Sequence, residues 1–161
     1  MSDFKLDFSA TEYTGGRIAI VHARFNLPII NQMISGAKQR LDELKVPSDN
    51  VELFDVAGAY ELPYAVQQVA KTGQFDAVIA IGVVIRGDTP HFDYVCAESS
   101  SGLMRASLDN DIPVIFGILT VNTKEQAEER ANPAKMNKGG EAAATAVEMI
   151  NLTRALKEKR S

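Results

Sequence analysis

One cysteine in 161 residues cannot close an intrachain disulfide, and with only two histidines at unrelated spacings it supplies no metal-ligand cluster. Basic residues are the minority, 17 Lys and Arg against 21 Asp and Glu, and a net charge of −4 argues against a nucleic-acid partner, because such proteins present a basic face. Long apolar runs are scarce as well. The longest, Ala77–Ile85, is about half of what a membrane span needs and contains Gly82, so it reads as a buried strand and no membrane partner is expected. The first ten residues, MSDFKLDFSA, lack a basic stretch followed by an apolar one, which makes the cytoplasm the expected compartment. Repeats of solenoid length and low-complexity segments are also missing.

What is present is an alternation of apolar strands and amphipathic helices. The length suits one domain, residues 1–161, in which residues 1–16, ending TEYTGG, form an arm ahead of the fold. RIAIVHA (17–23) reads as the first strand, and residues 26–44 as a helix, with Ile30, Met33, Ile34, Ala37, Leu41 and Leu44 at helical spacing. NVELFDVAG is the second strand and ELPYAVQQVAKTG the second helix, stopped by Gly73. DAVIAIGVVI and residues 92–110 form the third strand and helix. IPVIFGILT, a short helix through KEQAEERA, and a helix over about 138–157 complete the chain. Strands apolar on both faces and separated by helices imply a parallel sheet covered on each side, an α/β three-layer αβα sandwich. Ligands of such sheets gather at the carboxyl ends of the strands, here HARFN, VAGAYE, IRGDTPH and LTVNT.

The third of these ends carries the most chemistry. Thr89 reads as an N-cap and Pro90 as the first helical residue, where its missing N–H costs nothing, and His91 falls in the first turn. Gly87 admits a sharp turn and lets a ligand approach the backbone, while the new helix aims its positive end at the same point. An anion such as a phosphate would be stabilised there, with a hydrogen bond from the Thr89 hydroxyl. The competing reading, an ordinary turn with a surface histidine, weighs about equally on motif chemistry alone. GVVIRGDT only outlines a Walker loop, since Asp88 stands where the lysine is needed, and the RGD tripeptide as an adhesion signal requires secretion.

Elsewhere the plain structural reading is the stronger. GAYELP places Ala59, Tyr60 and Glu61 at the second strand end, where a ring and a carboxylate suit a flat hydroxylated molecule, yet Glu61 also fits as a helix-start acid. Phe25 reads as core, His22 as a satisfied core histidine and Cys96 as a buried structural thiol. Arg130 reads as a solvated residue paired with an acid, and Lys138 as the flank of a helix start.

RFN, GAYELP, VIRGDTPHFDYV, VIFGILT, EQAEERA and NKG, in this order and spacing, resemble the lumazine synthase family over residues 17–156. No single motif is specific, but six in order are. The resemblance implies a flavodoxin-like fold with a four-stranded parallel sheet, and condensation of 5-amino-6-(D-ribitylamino)uracil with 3,4-dihydroxy-2-butanone 4-phosphate to 6,7-dimethyl-8-ribityllumazine, phosphate and water, without cofactor or metal. It implies that Phe25 stacks on the pyrimidine, that Ala59, Tyr60, Glu61, Val83, Val84 and Ile85 line the pocket for ring and ribityl chain, and that Asp88 and Thr89 hold the phosphate. It gives His91 the proton transfers. Phe116, Arg130 and Lys138 would reach in from the adjacent subunit of a homopentamer, which is compatible with free pentamers, decamers or a sixty-subunit shell. A carboxylate 4 Å from a phosphate charge would cost on the order of 4 kcal/mol at an effective dielectric of about 20, so the Asp88 side chain is expected to point away and its backbone N–H to bind. The alternative is a flavin- or lumazine-binding module of the same fold without turnover. Paired acids after the first strand, as in phosphoacceptor receivers, and the phosphate loop of a flavodoxin proper are both absent from HARFN.

Overall fold

The structure, a computed structural model, describes residues 4–160, so the first three residues of the expected arm lie outside the described residues. The sheet is built from β1 (Ile18–Ala23), β2 (Val51–Val56), β3 (Ala77–Ile85) and β4 (Val114–Val121), all parallel in the order β2-β1-β3-β4. The helices are α1 (Leu27–Glu43), α2 (Leu62–Lys71), α3 (His91–Asp109), α4 (Lys124–Ala131) and α5 (Lys138–Arg160). This is the expected α/β three-layer sandwich. None of the described helices is long and apolar enough to cross a membrane.

The period-2 alternation of the central strands creates two cores. Ile18 and Ile20 of β1 with Ala77, Ile79, Ile81 and Val83 of β3 face one layer, where they meet Ile30, Met33 and Ala37 of α1 and Ala143, Val147 and Ile150 of α5. Ala19, Val21, Val78 and Ala80 point the other way, onto Leu62, Val66 and Val69 of α2 and Leu103 and Ala106 of α3. The expectation of strands buried on both faces holds for β1 and β3 only: β2 is an edge strand whose Glu52 and Asp55 are exposed.

Element ends move by one to three residues, the usual scatter of helix and strand boundaries read from pattern. Asn26 is the cap of α1, not its first residue, and stands in the left-handed region at φ 65. The second strand stops at Val56, and a 3-10 turn over Ala59–Glu61 precedes α2. At the third strand end Pro90, not Thr89, is the cap, and α3 starts at His91. Thr89 still acts as a cap would, its Oγ1 accepting the His91 N–H at 3.4 Å. The last helix runs three residues further than expected, to Arg160.

The arm is fastened at its inner end. Asn151 of α5 donates to the Glu12 carbonyl at 2.8 Å, Arg154 to the Thr14 carbonyl at 3.2 Å, and Asn50 to the Tyr13 hydroxyl at 2.8 Å.

Candidate functional site

After β1 the chain goes to one face of the sheet through α1, and after β3 to the opposite face through α3, so the crevice between these two strand ends is the topological switch point where such folds bind ligands. A cleft of ≈ 620 Å³ opens there. A smaller hollow of ≈ 170 Å³ lies at the opposite end of the sheet, beside the starts of β3 and β4, with Asp76, Asp111, Arg154 and Lys157 on its walls. Only the first is at the ligand-binding end, and its volume suits a small organic molecule.

One wall is the β1–α1 link. The Arg24 and Phe25 N–H groups donate to the Val56 and Ala57 carbonyls at 2.9 and 3.0 Å, and Asn26 Nδ2 donates to the Val83 carbonyl at 3.0 Å. Held by both neighbouring strand ends, and turned by the left-handed Asn26, the link throws Phe25 outward, leaving it 73% exposed on the cleft rim. That corrects the reading of Phe25 as core. Beside it, Arg24 pairs with Asp55 across β1 and β2, and the guanidinium holds the Asp55 carboxyl below the usual range.

The second wall is the turn over Ala59–Glu61. Ala59 is buried, while Tyr60 and Glu61 project outward, Tyr60 being 60% exposed. Val83, Val84 and Ile85 form the floor, and Gly87, Thr89, His91, Phe92, Tyr94 and Val95 close the third side. A Cβ on Gly87 would meet nothing within 4 Å, and its φ is not in the left-handed region. Neither packing nor backbone within this chain therefore demands glycine. Asp88 is exposed and is not on the cleft wall, unlike its neighbours Gly87 and Thr89.

Cys96, one turn past Phe92, is half-buried rather than buried. Burial and then the Asp93 carboxylate push its thiol up, against the opposing pull of Arg86, the direction opposite to that of an activated thiol. His22 is half-buried, with Nδ1 3.1 Å from the Ala23 carbonyl. Among the described residues no group of three or more His, Cys, Asp and Glu is placed to hold a metal ion.

Of the residues singled out in the sequence, the structure brings Phe25, Ala59, Tyr60, Glu61, Val83, Val84, Ile85, Thr89 and His91 onto one cleft. It does not bring Phe116, Arg130 or Lys138 there. Phe116 is 53% exposed on the edge strand β4, between Val114 and Ile118, which face the α2 and α3 layer. Arg130 Nη1 donates to the Gln126 carbonyl at 3.1 Å and lies 4.0 Å from Glu129, and Lys138 Nζ lies 3.3 Å from Glu141. Asn26, Phe92, Tyr94 and Val95 also line the cleft but were not singled out. Signals for them existed: an Asn before Leu27-Pro28 is an αL-tolerant cap, and Tyr94 and Val95 stand three and four residues after His91, on the same helix face.

A family model described as 6,7-dimethyl-8-ribityllumazine synthase matches residues 15–154. The 6,7-dimethyl-8-ribityllumazine synthase of Campylobacter jejuni subsp. doylei is 48% identical over 140 residues, which cover 87% of this chain and 91% of that protein.

Proposed function

The chain belongs to the 6,7-dimethyl-8-ribityllumazine synthase family, and from that membership we propose how its cleft performs the reaction. The enzyme is a transferase of riboflavin biosynthesis that condenses 5-amino-6-(D-ribitylamino)uracil with 3,4-dihydroxy-2-butanone 4-phosphate. The observation that carries the placement is the convergence of an exposed aromatic platform, a carboxylate and a helix-start histidine on the switch-point crevice.

In this reading Phe25 stacks on the pyrimidine and Glu61 accepts hydrogen bonds from ribityl hydroxyls, with Ala59, Tyr60, Val83, Val84 and Ile85 completing the walls. The phosphate sits on the amides at Gly87 and Asp88 and on the Thr89 hydroxyl, facing the positive end of α3. The exposed Asp88 carboxylate stays in water and so avoids the repulsion worked out above. Schiff-base formation, loss of phosphate and ring closure each move protons near neutrality, and His91, three residues before Tyr94 on the cleft side of α3, gives and takes them. Holding two substrates together supplies more of the acceleration than proton transfer does. The protein needs neither metal nor cofactor in this scheme, and its compartment is the cytoplasm.

Among the described residues that line the cleft there is no Lys or Arg to meet the phosphate. Phe116, Arg130 and Lys138 of a neighbouring subunit complete it in a homopentamer. What supports this is their position outside their own cleft, together with the exposed Tyr94, Met104, Leu108 and Phe116, apolar groups that a subunit contact would cover.

The direct test mixes purified protein with both substrates and follows phosphate and lumazine absorbance together. Stoichiometric release is expected. Binding of the lumazine without phosphate release would favour the non-catalytic module instead. Arg130→Ala is expected to raise KM for the butanone phosphate by about tenfold or more, the worth of a charge-assisted hydrogen bond, and to leave KM for the pyrimidine alone. Unchanged affinity for both substrates would remove Arg130 from the site.

A further inference from the structure

Arg86 is the first residue past β3, and its guanidinium is engaged on three sides. Nε donates to Asn122 Oδ1 at 3.1 Å, Nη1 donates to Asp93 Oδ1 at 3.4 Å, and the group lies 4.3 Å from the centre of the Phe92 ring. Its backbone N–H donates to the Val121 carbonyl at 2.9 Å. The partners belong to two other segments: Asn122 follows the end of β4, and Phe92 and Asp93 lie in the first turn of α3. The side chain therefore closes a loop, and Gly87, Asp88, Thr89, Pro90 and His91 hang between its two anchor points. Besides the Asp93 N–H, which donates to the Pro90 carbonyl at 2.9 Å, little else holds them. Residues 86 to 91 are all exposed, Gly87 has no side chain to pack, and the Thr89–His91 bond is long at 3.4 Å.

Resting on the reading of this corner as the phosphate and proton-transfer site, we infer that Arg86 is a positioning residue. It fixes the span between the amides that hold the anion and the imidazole that moves the proton. Through Asn122 it ties that span to the start of α4, the helix that carries Arg130. The guanidinium does this by shape. A planar fork donates to Asn122 and Asp93 while its face lies on Phe92, a combination that the point charge of a lysine does not reproduce. Contacts this exposed add little to global stability, whereas a displacement of about 1 Å at a reacting centre can cost up to about 10²-fold in rate. Loss of the clamp should thus appear in turnover and not in the fold.

The test is steady-state kinetics with both substrates on the full-length wild type, Arg86→Lys and Asn122→Ala, with thermal unfolding alongside. Arg86→Lys keeps the charge and loses the fork. It is expected to lower kcat about tenfold, to raise KM for the butanone phosphate severalfold, and to leave KM for the pyrimidine and the unfolding midpoint nearly unchanged. Asn122→Ala leaves the arginine in place and removes one anchor, so a shift of about threefold in the same direction is expected. Were Arg86 instead a direct ligand of the phosphate through its charge, Arg86→Lys would stay near wild type and Asn122→Ala would free the guanidinium to bind better; either result overturns the inference. A fall in kcat that tracks a lowered midpoint, with both KM values untouched, marks a merely structural residue and overturns it too. If Arg86→Lys does not fold, Asn122→Ala decides alone. Absence of turnover in the wild type would instead sink the reading of the corner itself, and this inference with it.

Discussion

His91→Ala is expected to slow turnover by about 10²–10⁴-fold, the usual worth of a positioned acid–base group, while KM for each substrate stays within about a factor of two. The prediction separates cleanly from a folding defect because of where the residue stands. His91 is exposed at the first turn of α3, and what fastens it to the corner is its backbone N–H on Thr89 Oγ1, which alanine retains. Truncation therefore removes the imidazole and leaves the amides that would hold the phosphate. Residual turnover should remain, since binding two substrates in register accounts for much of the acceleration. Single-turnover measurements of lumazine formation at saturating substrate, with binding of each substrate measured separately, give the answer. Parallel loss of affinity and rate would make His91 a structural residue and leave the proton transfers without an owner.

The imidazole's neighbourhood was legible in the sequence because it is a local matter. Gly87, Thr89, Pro90 and His91 each have one strong backbone preference or one chemistry, and they fall together at the end of an apolar run that reads as a strand. The sheet was legible for the same reason, since Ala77–Ile85 cannot be anything but buried in a chain of this composition. What escaped is set by tertiary contacts. Phe25 reads as core because a phenylalanine just past an apolar strand usually is, and the left-handed turn at Asn26, with its bond to the Val83 carbonyl, turns the ring outward. The Arg86 clamp joins residues that are seven and thirty-six positions apart, so no local pattern announces it. Arg130 and Lys138 were given a place in a site only by the resemblance to a family, the residues themselves reading as a solvated cation and a helix flank. Within one chain their nearest partners are the ordinary acids and carbonyls of their own helices, as the pattern alone would have said.

Of the glycine-to-alanine substitutions, Gly139→Ala is expected to be the most damaging, since its added methyl meets backbone most closely. A methyl built on Gly139 would fall inside the envelope of the Met33 carbonyl oxygen and 2.8 Å from its carbonyl carbon, so α5 meets the backbone of α1 with no side chain between them. Rotamer changes cannot relieve that clash, because both sides are main chain. The helices must separate, and Met33, Ala37 and Ala143, all fully buried on this contact face, lose part of their packing. Overpacking of this kind costs typically about 1–3 kcal/mol and sometimes more, against which alanine's better helix propensity returns about 1 kcal/mol at most. A net loss of about 1–2 kcal/mol corresponds to a fall of roughly 2–8 °C in the unfolding midpoint for a chain of this size. The measurement is thermal unfolding at one fixed protein concentration, since subunit association would make the midpoint depend on it. Activity should fall as well, and in a diagnostic way: Gly139 follows Lys138, so moving the start of α5 displaces a residue assigned to the neighbouring site while leaving Phe25 and His91 where they are. An unchanged midpoint would mean that the two helices slide apart freely and that their close crossing does not hold the last helix in place.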